Sequence, residues 1–395
     1  MRFAAALSTK REWHQAVEDL FEQIHPVLGP AKNDLALFFV HPQFIGDIEE
    51  IVATVRGRSG ARCFVGCTGA GIIGCDREIE DTPALALMVG QLPGAEITPL
   101  RMTQEEVEES TGPGYWHFQL EVSAEDKPQL ILLADPFSIH SIQLVREIGD
   151  AYPGCPVVGG LASGGRQPGD SRLFLDDQIF SDGAIGVALT GAVELVPLVS
   201  QGCKPIGEPL VITRADKNII YEIGGQSPIK VLHSLLPTLP EPDQQLARTA
   251  LFIGRVINEY QEEYGRGDFL IRNLVGQDPG TGALAVGDLM RTGQTVQFQV
   301  RDGATADADL RALLLRHQQN QPVKGSLLFS CLGRGEGMYG SPHHDVRTLQ
   351  ELLGPVPTAG FFCNGEIGPV GNRPYVHGFT SVIALFVEPR PQRGE

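Results

Sequence analysis

Three times along this chain an apolar run, a helical stretch and a second apolar run follow one another and stop at a glycine-containing turn. That recurrence limits the fold more than any other feature. The first pass runs from 35–40, bounded by Asp34 and His41-Pro42, through a helical pattern over 45–55, to a short strand at 63–66 and Gly66-Cys67-Thr68-Gly69. In the second, 130–134 ends in Asp135-Pro136-Phe137, a helix covers 139–148, and 156–158 leads into Gly159-Gly160-Leu161-Ala162. The third begins at 326–331, breaks at Gly333-Arg334-Gly335, continues through a helix over 346–353 and arrives at Phe362-Cys363-Asn364-Gly365. Unbroken apolar runs of this kind read as strands buried on both faces. The roughly 25–30 residues from the end of a first strand to its turn is the size of a βαβ unit. Another apolar strand follows each turn, at 83–89, 184–189 and 381–387. Glycine turns at strand ends are where open α/β sheets place ligands.

A strand at 3–8 and a helix with Trp13, Val17, Leu20, Phe21 and Ile24 on one face precede the first pass, the helix ending at Pro26 and Gly29-Pro30. Gly57 to Gly60 should break the next helix. Between the second and third passes the texture changes. Strands are expected at 193–201, 210–214 and 218–223, with 202–209 as a connection between the first two. A helix over 228–236 and an exposed Pro-rich loop at 237–242 follow. Strands at 251–257, 269–275 and 296–300 alternate as antiparallel strands do, with turns at Gly265-Arg266-Gly267-Asp268, Gln277-Asp278-Pro279-Gly280 and Arg301-Asp302-Gly303. An amphipathic helix over 307–319 carries Leu310, Leu313 and Leu314 on one face. The expected architecture is α/β, in two related halves with mixed β-sheets flanked by helices and βαβ-type units ending in glycine-rich turns. The halves are placed at 1–195 and 196–395.

At 395 residues the chain exceeds the size at which a single core keeps growing. A net charge of -17 excludes the basic stripe that a nucleic-acid groove requires. No apolar run approaches the ~20 residues of a membrane helix, and the N-terminus lacks the pattern of a signal peptide. Seven cysteines, an odd number, read as reduced thiols rather than a disulfide frame, so the expected location is cytoplasmic.

Ser330-Cys331, Gly333-Arg334-Gly335, the long Gly360-Phe361-Phe362-Cys363-Asn364-Gly365-Glu366-Ile367-Gly368-Pro369 and His377-Gly378-Phe379-Thr380 together resemble the C-terminal half of the FIST domain. Val65-Gly66-Cys67-Thr68-Gly69-Ala70-Gly71-Ile72-Ile73-Gly74, Leu92-Pro93-Gly94 and Val158-Gly159-Gly160-Leu161-Ala162-Ser163 are similar to its N-terminal half. The resemblance covers nearly the whole chain. It implies a sensory module that binds small ligands such as amino acids or their derivatives. In the family such modules stand alone or are joined to signalling outputs. No cyclase, kinase or F-box signature is present, so a stand-alone member is expected, with a partner protein supplying the output.

The residues expected to line a ligand crevice are Cys67, Thr68, Gly69, Arg334, Cys363, Asn364, Gly365, Glu366 and His377. Glu366 would take a ligand ammonium, and the turn's N–H groups a carboxylate. Equally, Glu366 could bond the turn's own amides while Cys363 packs as a small hydrophobe. Arg334 could hold a ligand carboxylate bidentately, or pair with Glu336 or Glu366; Tyr339 could line the same space. A Cys–His hydrolase or acyltransferase using Cys363 or Cys67 is the enzymatic alternative, and a protein-binding scaffold the third. His343-His344-Asp345 lacks a second cluster for a metal, and Asp345 reads as a helix N-cap. Gly69-Ala70-Gly71-Ile72-Ile73-Gly74 mimics a dinucleotide motif, but a strand follows it where a helix is required. Neither metal nor cofactor is expected.

Overall fold

The computed structural model of the chain describes residues 1–28, 32–265, 267–318 and 321–389. The first pass comprises β1 (Arg2–Ser8), α1 (Trp13–Leu28), β2 (Asn33–Val40), α2 (Ile48–Ser59), β3 (Ala61–Thr68), the hairpin β4 (Ile72–Gly74) and β5 (Arg77–Ile79), and β6 (Leu85–Gln91). The second repeats this order: β7 (Ala95–Met102), α3 (Gln104–Glu109), α4 (Pro113–Leu120), β8 (Gln129–Ala134), α5 (Ser141–Ala151), β9 (Val157–Leu161), hairpin β10 (Leu173–Leu175) and β11 (Gln178–Phe180), and β12 (Ala184–Gly191). The third opens with β13 (Glu194–Gln201) and is then interrupted. The interruption comprises β14 (Cys203–Asp216), β15 (Ile219–Ile223), α6 (Pro228–Leu235), α7 (Glu241–Thr249), β16 (Leu251–Val256), β17 (Phe269–Gln277), β18 (Leu284–Val286) and β19 (Thr295–Arg301). The pass resumes with α8 (Gly303–Gln318), β20 (Val323–Cys331), α9 (Glu336–Tyr339), α10 (His344–Leu353), β21 (Thr358–Cys363), hairpin β22 (Glu366–Val370) and β23 (Arg373–His377), and β24 (Thr380–Val387).

Each pass builds one six-stranded mixed sheet, in the orders β1-β6-β2-β3-β10-β11, β7-β12-β8-β9-β22-β23 and β13-β24-β20-β21-β4-β5. The two central strands pair in parallel, and the closing strand lies antiparallel against the first of them. Only the hairpins change places. That of the first pass pairs with β21, that of the second with β3, and that of the third with β9. The exchange is cyclic, so the three passes fold as one unit.

Alternate residues of all three sheets enter one apolar core, among them Leu35, Leu37 and Phe39, Ile131 and Leu133, Leu327 and Phe329. The opposite face of each sheet carries helices: Val17 and Ile51 against Phe38, Ile148 against Leu132, Leu310 and Leu349 against Leu328. Burial on both faces explains the unbroken apolar runs. Close strand contact marks the same position in every pass. A Cβ on Gly66, Gly159 or Gly360 would lie 1.8, 1.8 or 1.9 Å from the carbonyl oxygen of Phe38, Leu132 or Leu328 on the neighbouring parallel strand.

Among the described residues this threefold unit comprises Met1–Val199, Leu310–Val376 and 380–389; Ser200–Asp309 with His377–Phe379 form the second unit. The second unit is a closed barrel in the order β14-β15-β18-β17-β16-β19. Ile206, Ile212, Ile253 and Phe298 fill it together with Leu232 of α6 and Ala247 of α7. The buried Arg272 pairs with Asp288 at 2.8 Å.

The α/β class with mixed sheets and flanking helices is as the sequence implies, but several local expectations are corrected. All of the connection expected at 202–209 except Gly202 lies within the single strand β14, whose pairing with β19 shifts register between Ile206 and Leu210. Prolines are accommodated at such irregularities. The loop expected at 237–242 gives way to α7 from Glu241, where Pro242 lies in the first turn and its missing N–H costs nothing. Gly57 does not break α2; the helix runs on to Ser59 and ends at Gly60 in the left-handed conformation. Pro26 lies within the last turn of α1, while Gly29, Pro30, Arg266 and Gln319 fall outside the described residues. No described helix is long and apolar enough to cross a membrane.

Candidate functional site

In register, the parallel pairs end at Val40 and Thr68, Ala134 and Leu161, and Cys331 and Cys363. The three turns beyond them meet. Ser163 N–H donates to Thr68 O at 3.2 Å, Ala70 N–H to Ser163 Oγ at 2.8 Å, and Ser163 Oγ–H to Phe362 O. Phe362 N–H donates to Gly71 O at 2.9 Å, Asn364 N–H to Leu161 O at 3.0 Å, and Leu161 N–H to Gly365 O at 2.8 Å. Much of the backbone hydrogen bonding at these turns is therefore spent between passes.

Glu366, first residue of β22, is fully buried beside this junction. Its Oε2 accepts from Thr380 N–H at 3.2 Å and from Thr380 Oγ1–H at 2.7 Å. Oε1 meets no donor at hydrogen-bonding geometry among the described residues, though the Cys331 thiol stands beside the carboxyl group. Burial outweighs the Thr380 donors and pushes this carboxyl up to about 8, so it keeps its proton at neutral pH.

Arg334, also buried, leaves β20 through Leu332-Gly333 and turns onto Asp345. Nε to Oδ2 is 2.8 Å and Nη2 to Oδ1 3.2 Å, a two-pronged pair, and Nη2 also donates to Tyr339 Oη. Burial alone would lower the guanidinium's affinity for its proton, but the Asp345 carboxylate outweighs it and holds Arg334 above its ordinary value. Against the same desolvation, Arg334 holds the Asp345 carboxyl well below the usual carboxylate range. The Tyr339 ring stacks on His344 at 3.5 Å between centroids.

This pairing corrects two expectations. Arg334 takes Asp345 as a two-pronged partner, which the sequence did not suggest, and Asp345 is no N-cap. His343 occupies the cap position in the left-handed conformation, and Asp345 sits in the first turn of α10 with its carboxylate directed to Arg334. The helix N-terminus is served instead by Glu78 of β5, whose Oε1 accepts from Val346 N–H at 2.8 Å. Burial, reinforced by the nearby Asp345 charge, pushes the Glu78 carboxyl up to about 8. Next to it, Glu80 Oε1 accepts from Glu336 N–H at 2.8 Å.

The fold thus brings Cys67, Thr68, Gly69, Arg334, Cys363, Asn364, Gly365 and Glu366 to one set of strand ends, all buried except Asn364. His377 is buried and belongs to the second unit. Cys67 and Cys363 point into the central core, and burial pushes both thiols well above their ordinary range. Neither has the accessible, electropositive surroundings that a nucleophile toward an external substrate needs. An open cavity of about 450 Å³ flanks the end of β2, lined by Arg11, Trp13, Gln43, Phe44, Asp47 and Asp81, and none of the expected site residues reaches it. Glu78 and Ser163 join the site from other passes. An arginine set between glycines signals a buried ion pair, but only the cyclic hairpin exchange brings Glu78 to it.

Fold and site together define an α/β protein of three exchanged βαβ passes with an inserted barrel and a buried polar cluster at the strand ends. The sequence model of the FIST N domain matches residues 34–226 and that of the FIST C domain 228–369. The chain belongs to the FIST family, whose domains are associated with sensing in signal transduction. It is 38% identical over 390 residues to an uncharacterized protein of Mycobacterium tuberculosis, covering 98% of this chain and 100% of that one. It is also 37% identical over 390 residues to an uncharacterized protein of Mycobacterium bovis, covering 98% and 99%.

Proposed function

We propose that this protein is a sensory, non-catalytic binding protein that takes an amino acid or similar small polar metabolite at the joined strand ends and passes the signal to a separate partner protein. The observation that carries this reading is Glu366: a fully buried carboxyl whose Oε1 meets no donor at hydrogen-bonding geometry among the described residues, set among backbone turns that bond to one another. A buried polar atom without a partner costs roughly 1–3 kcal/mol, and a polar ligand group would remove that cost. Asn364, exposed at the mouth of the same turn, supplies an amide for the ligand's polar end. Arg334 fixes the third-pass loop through Asp345 rather than meeting the ligand directly.

A thermal-shift screen of amino acids and small polar metabolites tests the proposal. A ligand present at about 100 times its Kd adds about 2.7 kcal/mol to the folded state. Glu366→Gln should lose the shift while melting as one cooperative unit. An undiminished shift in that variant would place binding elsewhere.

A further inference from the structure

Of the seven cysteines, all thiols, five are buried and only Cys75 and Cys331 are half-buried. The surroundings of these two differ. Cys75 Sγ faces Ala5 O at 3.5 Å, and burial together with the Asp76 charge disfavours its thiolate. Cys331 Sγ instead accepts from Gly333 N–H at 3.4 Å and lies within the field of the Arg334 guanidinium. A guanidinium and a backbone N–H thus stand at the Cys331 sulfur, surroundings suited to an attacking thiol.

Cys331 also has a second thiol in place. It ends β20 directly opposite Cys363, which ends β21. Neighbouring parallel strands lie roughly 4.8 Å apart, inside the Cα separation of about 4.4–6.8 Å that a disulfide spans. Alternation puts both side chains on the same face of the sheet. The Glu366 carboxyl, beside which the Cys331 thiol stands, completes the group.

We propose that Cys331 and Cys363 form a hydroperoxide-oxidisable pair, in which Cys331 is the attacking thiol and Cys363 the resolving one. The Cys331 sulfur attacks one peroxide oxygen and the O–O bond breaks. The product is a sulfenic acid, and the departing hydroxide takes the proton that the thiol gave up. Cys363 then attacks the Cys331 sulfur, the S–O bond breaks, and a second water leaves with the Cys363 proton. Two thiols lose two electrons to one hydroperoxide, giving one disulfide and two waters when the oxidant is hydrogen peroxide. Bonding Cys331 to Cys363 removes the thiol that stands beside Glu366, so oxidation alters the same strand ends without depending on a metabolite.

The test treats the full chain with hydrogen peroxide, counts thiols after denaturation and maps linked peptides. The count should fall by two from seven, with Cys331 joined to Cys363. Cys331→Ser should keep all its remaining thiols. Cys363→Ser should carry a sulfenic acid on Cys331 that dimedone traps, and Cys75→Ser should behave as the wild type. Linkage of Cys363 to Cys67, dimedone label on Cys75, or an unchanged loss of two thiols in Cys331→Ser would overturn the assignment. Peptide mapping of the wild type needs no variant: absence of the Cys331–Cys363 link there is also decisive against it. Because no metabolite is involved, failure here leaves the ligand reading untouched, and the reverse holds.

Discussion

Glu366 and Glu78 are both carboxyls that burial pushes up to about 8. The unfolded chain loses these protons near the ordinary 4.5 of a glutamate, while the folded chain keeps them until about 8. Between those values the folded state binds more protons, so stability falls as pH rises, by up to about 1.4 kcal/mol per pH unit per group. Below the lower value both states are protonated and the full contribution is present. Asp345 works in the opposite sense: its pairing with Arg334 stabilises the fold at neutral pH and is lost in strong acid. Urea unfolding from about pH 5 to 8 should therefore show declining wild-type stability, with Glu366→Gln and Glu78→Gln each flattening the slope. A wild-type curve level across that interval would remove the basis for both assignments. Glu366 could be singled out from its glycine-flanked turn alone, because a carboxyl there must be solvated, paired or used. Glu78 could not, since its partner Val346 is supplied by another pass.

The βαβ pass is the element that the sequence shows most plainly, and its most demanding position is the glycine facing a neighbouring carbonyl. A Cβ at Gly360 would lie 1.9 Å from Leu328 O, and its nearest neighbours are all Leu328 backbone atoms with no flexible side chain to give way. Gly360→Ala should cost at least ~3 kcal/mol, at or beyond the upper end of ordinary overpacking. Gly57, inside α2 with nothing within 4 Å of an added Cβ, is the control. Gly57→Ala should be neutral or stabilise by up to ~1 kcal/mol, since alanine restricts the unfolded chain and favours helix. Chemical denaturation of the two variants distinguishes a packing glycine from a tolerated one; equal effects would contradict the account. The misread elements share one cause. Prolines at 205, 209 and 242 look like breakers in sequence, yet the first two lie within a strand whose register shifts and the third in a helix's first turn.

At the scale of the molecule, the barrel enters the third pass between its lead strand and its first helix. Asp302 N–H donates to Gly202 O at 3.2 Å, so the insertion begins and ends at one point. Replacing 203–301 with a short glycine linker should leave the three-pass unit folded, as insertions closed at adjacent points generally permit. Circular dichroism and a cooperative melt of the shortened chain would check this, and loss of the cooperative transition would refute it. By itself the sequence determined the α/β class, the order of strand and helix in the three passes and the family, because these follow from local apolar period, chain punctuation and a long motif. Only the tertiary structure decided which hairpin completes which sheet, that Arg334 answers Asp345, and that Glu78, Glu366, Cys331 and Cys363 surround one set of strand ends. Such pairings depend on which strand edge each hairpin meets in three dimensions, and no local pattern of residues encodes that choice.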